Sequence, residues 1–155
     1  MGASGTEGRH RATPTQVRLE IPPRRDHLAL VRLVVSGAVA IDRRLAERRV
    51  EDLRLAVTEA CANAVEAQVA TGTVRPLDVL IELDDDVVAV TVTDHAGGFD
   101  PDDLPALPPV TDPGRLGHER GLGLALMRAH VDEVQFVATD DGTAVRLVMK
   151  ADVPH

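Results

Sequence analysis

A carboxylate and an amide lie four residues apart in the segment Thr58-Glu59-Ala60-Cys61-Ala62-Asn63-Ala64. A helix would place Glu59 and Asn63 on one stripe of its surface. The small alanine side chains around that stripe leave room for a ligand to approach closely. A carboxylate and an amide oxygen at this spacing could hold a hydrated magnesium ion and activate a hydroxyl group or a water. The alternative is a polar flank on an alanine-rich helix, with no chemical role.

A second cluster, Asp94-His95-Ala96-Gly97-Gly98-Phe99-Asp100, directly follows a predicted strand. An aspartate at a strand end can accept a hydrogen bond from the exocyclic amine of a flat ring. The neighbouring glycines would let the backbone approach that ring. The alternative is an ordinary turn, for which Asp and Gly are equally typical.

The third cluster, Arg120-Gly121-Leu122-Gly123-Leu124, opens a predicted helix. Glycines at a helix start expose backbone amides to an anion, and the helix dipole favours a phosphate there. Arg120 adds a positive charge. No Gly-Lys-Ser/Thr follows and no strand leads tightly into the segment, so it is neither a P-loop nor a dinucleotide-binding fingerprint.

The elements that must position these clusters follow from the hydrophobic pattern. Strands are predicted over 16–21, 77–83, 87–93, 134–139 and 143–149, and helices over about 26–41, 50–70 and 120–130. In the first helix, Asp26 is the expected N-cap and Leu33 is counted among the residues that carry apolar surface. Gly72 is expected to end the second helix.

The strands are grouped as hairpins, with Asp140-Asp141-Gly142 as a strong turn signal between the last two. This grouping predicts an α/β (α+β) two-layer sandwich, in which a mixed, mostly antiparallel sheet carries three helices on one face. The stretch from Asp94 to about Gly117 has no periodicity and is predicted to be a functional lid or disordered.

Composition excludes several classes of protein. The chain has 155 residues, enough for one domain, and its 25 acidic and 17 basic residues give a net charge of -8. That charge argues against generic affinity for nucleic acid or an anionic membrane. A single cysteine, Cys61, excludes an internal disulfide and a multi-cysteine zinc site. No apolar run approaches the length of about 18 residues that a membrane span needs, and no signal peptide is recognisable, so a cytoplasmic location is expected.

The three clusters together supply the kinds of group that bind a nucleoside triphosphate. The combination resembles the GHKL (Bergerat-fold) ATP-binding family and, within it, the anti-sigma-factor serine/threonine kinases of the RsbW/SpoIIAB type. The resemblance covers about residues 16–150. Residues 55–64 resemble the N-box of the family, 94–98 its first glycine box and 117–124 its second, while Thr143 matches a late-strand threonine near adenine.

The resemblance implies the Bergerat fold, with ATP and Mg²⁺ as cofactors, and a role for each matched residue. Asn63 would ligate Mg²⁺, and Glu59 would act as the general base toward a serine or threonine hydroxyl of a protein substrate. Asp94 would bind the adenine amino group, with support from Thr143 through water, and Gly98 would lie against the base. The phosphates would be held by Arg120, Gly121 and Gly123, under a lid formed by residues 99–117.

The resemblance also implies the partners of the chain, and it makes residues 16–150 a single ATP-binding kinase domain. Residues 1–15 are polar and contain glycine and threonine, so they are expected to form a flexible tail, and 151–155 a C-terminal tail. Family members bind a sigma factor and phosphorylate an anti-anti-sigma (STAS-type) protein, and a homodimer is possible. No direct contact with nucleic acid or membrane is expected.

One position departs from the family pattern. The first glycine box normally reads Asp-x-Gly-x-Gly, and here its first glycine is Ala96. A positive φ at that position would cost about 1 kcal/mol for alanine, whereas a requirement for smallness alone would be met. Ala96 therefore favours an alternative function, a catalytically weak or inactive binding module that regulates a partner by sequestration. A regulator whose partner is not a sigma factor also remains open.

Overall fold

The computed structural model describes residues 13–42, 45–97 and 119–152, without the side chains of residues 42 and 119–122. A short 3-10 helix, Arg25–His27, precedes the first α-helix. The strands are β1 (Thr15–Ile21), β2 (Leu77–Leu83), β3 (Val87–Asp94), β4 (Glu133–Ala138) and β5 (Thr143–Lys150), and the α-helices are α1 (Leu28–Asp42), α2 (Glu47–Thr71) and α3 (Glu119–His130).

The five strands form one sheet in the order β1-β2-β3-β5-β4, and every pair of neighbours is antiparallel. The predicted two-layer sandwich is confirmed, and its sheet is antiparallel throughout the described strands rather than mixed. Cross-strand partners such as Val79 and Val92, or Val90 and Leu147, point to one face. That face packs against the helices, because side chains on a strand alternate between the two faces.

The core is almost entirely aliphatic, and α2 runs through its centre. Leu53, Ala56 and Val57 of α2 are fully buried, as are Leu77 and Ile81 of β2. Each fully buried leucine or isoleucine contributes about 1.5–3 kcal/mol of hydrophobic free energy. The chain has no tryptophan or tyrosine and only two phenylalanines, so close packing of these aliphatic side chains must stabilise the domain.

α2 begins at Glu47, three residues before the predicted start, and ends where it was expected to end. Gly72 has φ +68, and its N–H bonds to the carbonyl of Gln68, closing the helix with a left-handed glycine cap. The extra first turn carries few apolar residues, so hydrophobic periodicity could not reveal it.

Two expectations for the first helix are wrong. Asp26 lies within the 3-10 helix and makes no cap; its carboxylate instead bonds to Arg24 and His27. Leu33 is 70% exposed, because the buried face of α1 is set by Leu28, Val31 and other residues at i, i+3 and i+4 spacing.

The end of the described chain is tied to the start of α2. The Arg49 guanidinium bonds to Asp132 at 2.7 Å and to Asp152 at 2.6 Å. The backbone N–H of Ala151 also donates to the carbonyl of Asp86. Residues 151 and 152, assigned from the sequence to a C-terminal tail, are therefore anchored on the domain.

Candidate functional site

A cavity of about 300 Å³ lies between α2, α3 and the ends of β3 and β5. Three of the predicted site residues, Asn63, Asp94 and Thr143, line it together. The rest of its described wall is small or apolar and consists of Ala60, Ala64, Ala67, Ala70, Thr71, Val92, Ala96, Gly97, Leu124, Met127, Phe136 and Val145. An apolar cavity with a few convergent polar groups is the usual form of a small-molecule site.

The sheet register places Asp94 and Thr143 side by side. They are direct cross-strand partners at the end of the antiparallel β3–β5 pair. Directly opposed residues have Cβ atoms roughly 5 Å apart, so both side chains can reach the same ligand. The hairpin that delivers Thr143 packs tightly here: a Cβ added at Gly142 would overlap the carbonyl oxygen of Asp94 and lie 3.0 Å from its Oδ1.

In the turn after Asp94, the backbone N–H of each residue from 95 to 97 donates a hydrogen bond. His95 N–H donates to Oε1 of Gln68 at 2.9 Å, and Ala96 N–H donates to Oδ1 of Asp94 at 3.1 Å. Gly97 N–H donates to the carbonyl of Asp141 at 2.8 Å. The Asp94 carboxylate is therefore held by the amide of Ala96, and the backbone after it is bonded to the Gln68 side chain of α2 and to the β4–β5 turn.

Among the described residues of this turn, Gly97 has a left-handed backbone, with φ +94. The glycine that the turn needs is therefore present, one position after Ala96. Ala96 itself contributes a methyl group to the wall of the cavity.

The ring of His95 links the turn to two carboxylates. Its Nε2 lies 2.9 Å from Asp78 Oδ2, and its Nδ1 lies 3.3 Å from Asp141 Oδ2. Arg75 also pairs with Asp141. Hydrogen bonds from Arg75 and His95 hold the pKa of the Asp141 carboxyl below its usual value of 3.8.

Glu59 and Asn63 share one stripe of α2, and α3 approaches that stripe through a glycine. A Cβ added at Gly123 would lie 3.1 Å from Asn63 Nδ2 and 3.3 Å from Glu59 Oε2. Gly123 thus lets α3 come close to both side chains without filling the space between them. The first and third clusters of the sequence meet at this point.

Cys61, between these two residues on α2, faces the other way. It is fully buried in the aliphatic core and does not line the cavity. Burial raises the pKa of its thiol to about 12, so the thiol is a packing group rather than a nucleophile.

Part of the predicted site lies outside the described residues. Gly98 and the predicted lid, residues 99–117, lie outside the described residues. Arg120 and Gly121 lie in the first turn of α3, where only the backbone is described.

Sequence reasoning missed three residues that position the site: Gln68, His95 and Gly142. Gln68 offered a signal, because it continues the stripe of Ala60 and Ala64 at a spacing of four and is a polar residue in an apolar row. His95 offered none, since its partners Asp78 and Asp141 are distant in sequence.

The chain is similar to several known proteins. Residues 21–149 match the family model described as histidine kinase-like ATPase domain. The chain is 33% identical to the "Serine-protein kinase RsbW" of Bacillus velezensis, covering 84% of this chain and 82% of that protein. It is 31% identical to the protein of the same name from Bacillus subtilis, with the same shares covered.

A solved structure shares the fold. The crystal structure of the RsbU and RsbW domains of a Mycobacterium tuberculosis protein superposes with a TM-score of 0.65 at 20% sequence identity. The match covers 90% of this chain and 33% of that longer chain. Within the described residues, no helix combines the length and the apolar character needed to cross a membrane.

Proposed function

This chain belongs to the histidine kinase-like ATPase family, and on that premise we propose that it is an ATP-dependent serine/threonine protein kinase of the anti-sigma-factor type. The observation that carries the proposal is the meeting of four separate segments at one cavity. Asn63, Asp94 and Thr143 line it, and Gly123 brings α3 against the stripe of Glu59 and Asn63. The relatives named serine-protein kinase RsbW support the same activity.

The strand-end side of the cavity fits an adenine base. The Asp94 carboxylate can accept from the exocyclic amine, which an apolar wall of Val92, Met127 and Val145 would keep away from water. Thr143, beside Asp94 in the sheet, has a hydroxyl that can support the same edge of the base through a water.

The α2–α3 side fits a magnesium-bound triphosphate. Gly123 keeps open a space that a single Cβ would fill, next to one amide and one carboxylate. Magnesium favours few protein ligands together with phosphate oxygens, and Asn63 Oδ1 would be such a ligand. When bound, the ion would neutralise phosphate charge. Arg120, Gly121 and the amides at the start of α3 would hold the phosphates.

Glu59 is the proposed general base. Its carboxylate lies one helical turn from Asn63, so a serine or threonine hydroxyl presented near the phosphates would be within reach of Oε2. Oε2 would accept the hydroxyl proton as the hydroxyl oxygen attacks the terminal phosphorus, the bond from that phosphorus to the bridging oxygen would break, and ADP would leave. Phosphoryl transfer depends mostly on positioning and charge neutralisation, so this short set of residues suffices.

The protein substrate proposed from the relatives is an anti-anti-sigma protein of the STAS type, phosphorylated on serine or threonine, while a sigma factor would be sequestered. A homodimer and a cytoplasmic location belong to the same proposal. The alternative of an inactive sequestering module was suggested by Ala96, and the glycine geometry at Gly97 supports nucleotide binding instead.

A phosphotransfer assay tests the proposal. The protein is incubated with radiolabelled ATP, Mg²⁺ and a candidate anti-anti-sigma protein, and Glu59→Gln is compared with Glu51→Gln, an exposed position on the same helix. Loss of a general base is expected to lower the rate by about 10²–10⁴-fold, with ATP affinity retained. Glu51→Gln should label the substrate at the natural rate.

Two other outcomes would contradict the proposal in different ways. Equal labelling by Glu59→Gln would remove Glu59 from its role as the base. If the natural protein fails to bind ATP at millimolar concentration in a titration with Mg²⁺, the sequestering module becomes the better account.

A further inference from the structure

Gln68, near the end of α2, is the one polar side chain among the described residues that is fully buried. Its Oε1 accepts from His95 N–H at 2.9 Å. Its Nε2 donates to the carbonyl of Arg75 at 2.6 Å and, at 3.5 Å, to that of Thr73. All of these partners are backbone groups, so the amide connects α2 to two separate segments of main chain.

The bond to His95 fixes the backbone directly after Asp94. The other bonds of this turn come from the sheet side: His95 bonds through its ring to Asp78 and Asp141, and Gly97 N–H bonds to the Asp141 carbonyl. Within the described ranges, the hydrogen bond to Gln68 is the one that connects the turn to α2.

The same helix therefore carries both ends of the site. Asn63 and Gln68 are five residues apart, a rise of roughly 7.5 Å along the helix axis. α2 spans 25 residues through the core, so this distance cannot change without disturbing the packing of the domain. The helix sets how far the base-reading turn lies from the amide of Asn63.

We propose that Gln68 is a positioning residue for nucleobase selection: it orients Asp94 toward the exocyclic amine of adenine without touching the nucleotide. The inference rests on the proposed ATP site. Gln68 does not line the cavity, so its effect on the base passes through the His95 amide.

The hydrogen bond from His95 N–H to Gln68 should maintain the selectivity of the site for the exocyclic amine of adenine. A carboxylate held in line with an exocyclic amine favours ATP and opposes ITP, which has a carbonyl oxygen at the same ring position. Without the Gln68 amide, the partly buried His95 N–H loses its partner, and the backbone at His95 is no longer held against α2. Asp94 moves with it, and the preference for ATP over ITP decreases.

The test compares the affinities of the full chain for ATP and ITP, each with Mg²⁺, by calorimetric titration. The variant Gln68→Met keeps the length of the side chain and removes its hydrogen bonds. We expect the ratio of the two affinities to fall about tenfold. Val57→Ala is the matched control, since Val57 is fully buried in the same helix and does not line the cavity. Its melting temperature should fall while its ratio stays at the natural value.

The conservative variants sharpen the result. Gln68→Glu keeps an acceptor for His95 N–H and should retain more of the preference for ATP than Gln68→Met. Gln68→Asn keeps the amide on a side chain one methylene shorter, so it should lose preference, and it serves as the test if Gln68→Met does not fold.

The outcomes separate this inference from the proposed function. A natural ratio in Gln68→Met, or an equal loss in Val57→Ala, overturns the role of Gln68 and leaves the kinase proposal intact. Failure of the natural protein to bind either nucleotide overturns the proposed ATP site, and the role of Gln68 with it.

Discussion

The strand-end side of the cavity is extensively hydrogen-bonded within the protein, whereas the α2–α3 side is not. Around Asp94, the backbone amides of residues 95–97 all have protein partners, and Gln68 is buried to supply one of them. Glu59 and Asn63, in contrast, make no side-chain hydrogen bond to another residue in the described ranges. Both sides rely on a glycine for close approach, Gly142 at one and Gly123 at the other.

On the proposed function, this difference would separate recognition of the base from phosphoryl transfer. A group that reads a base must have a fixed direction before the ligand arrives, and buried hydrogen bonds provide that direction. A group that binds a metal or accepts a proton must keep its oxygens available for the ligand. Mutations at the two sides should therefore differ in kind: the strand-end side should lose stability, and the α2–α3 side should lose activity.

The largest expected effect is at Gly142. In Gly142→Ala the new methyl group would overlap the Asp94 carbonyl, which is backbone and cannot rotate away. We expect a loss of about 3 kcal/mol in the free energy of unfolding, measured by urea denaturation, together with weaker ATP binding. Gly37→Ala, in an exposed part of α1 with nothing within 4 Å of the added methyl, is the control and should gain about 0.5–1 kcal/mol. Equal stability in the two variants would contradict the packing described at Asp94.

At Gly123 we expect a smaller effect, which should fall on the phosphotransfer rate rather than on stability. The methyl group of Gly123→Ala would press on the ends of the Glu59 and Asn63 side chains, which can move. The melting temperature should stay the same or rise, because alanine favours a helix, while the phosphotransfer rate falls about tenfold or more. If instead the fold is lost and the remaining folded protein is fully active, the two sides of the cavity do not differ as proposed.

The next effect depends on pH and tests the hydrogen bonds that Asp141 makes on the strand-end side. The pKa of Asp141 is lowered in the folded protein by hydrogen bonds from Arg75 and His95. Its ionised form therefore contributes stability above the usual value of 3.8, and this contribution disappears as the pH falls through the lower folded pKa. Asp141→Asn should be less stable than the natural protein at pH 7, and the difference should shrink near pH 3. A difference that is independent of pH would show that the charge of Asp141 is not involved.

The smallest effect is expected at Cys61. With its pKa raised to about 12 by burial, the thiol has almost no thiolate at pH 8. Iodoacetamide should leave the native protein unlabelled and its ATP affinity unchanged, while protein unfolded in urea is labelled completely. Rapid labelling of the native protein would contradict the burial of α2 in the core.

Much of the fold follows from local patterns. The limits of β2 match the predicted strand, and Gly72 ends α2, because period-two alternation and a left-handed glycine act over a few residues. The first turn of α2 and the exposure of Leu33 did not follow, since both depend on which faces the other elements cover.

Of the candidate site, the sequence alone determined which groups are available: a carboxylate and an amide one turn apart on a helix, an aspartate at a strand end and glycines at the start of a helix. Only the tertiary structure decided that Asn63, Asp94 and Thr143 share one cavity, and that Gln68 and Gly142 lie against Asp94 and the backbone that follows it. The hydrogen bond from His95 to Gln68 spans 27 residues, and that between His95 and Asp141 spans 46. Contacts at such separations form only when the chain packs. Local sequence patterns cannot predict them, because those patterns relate residues only a few positions apart.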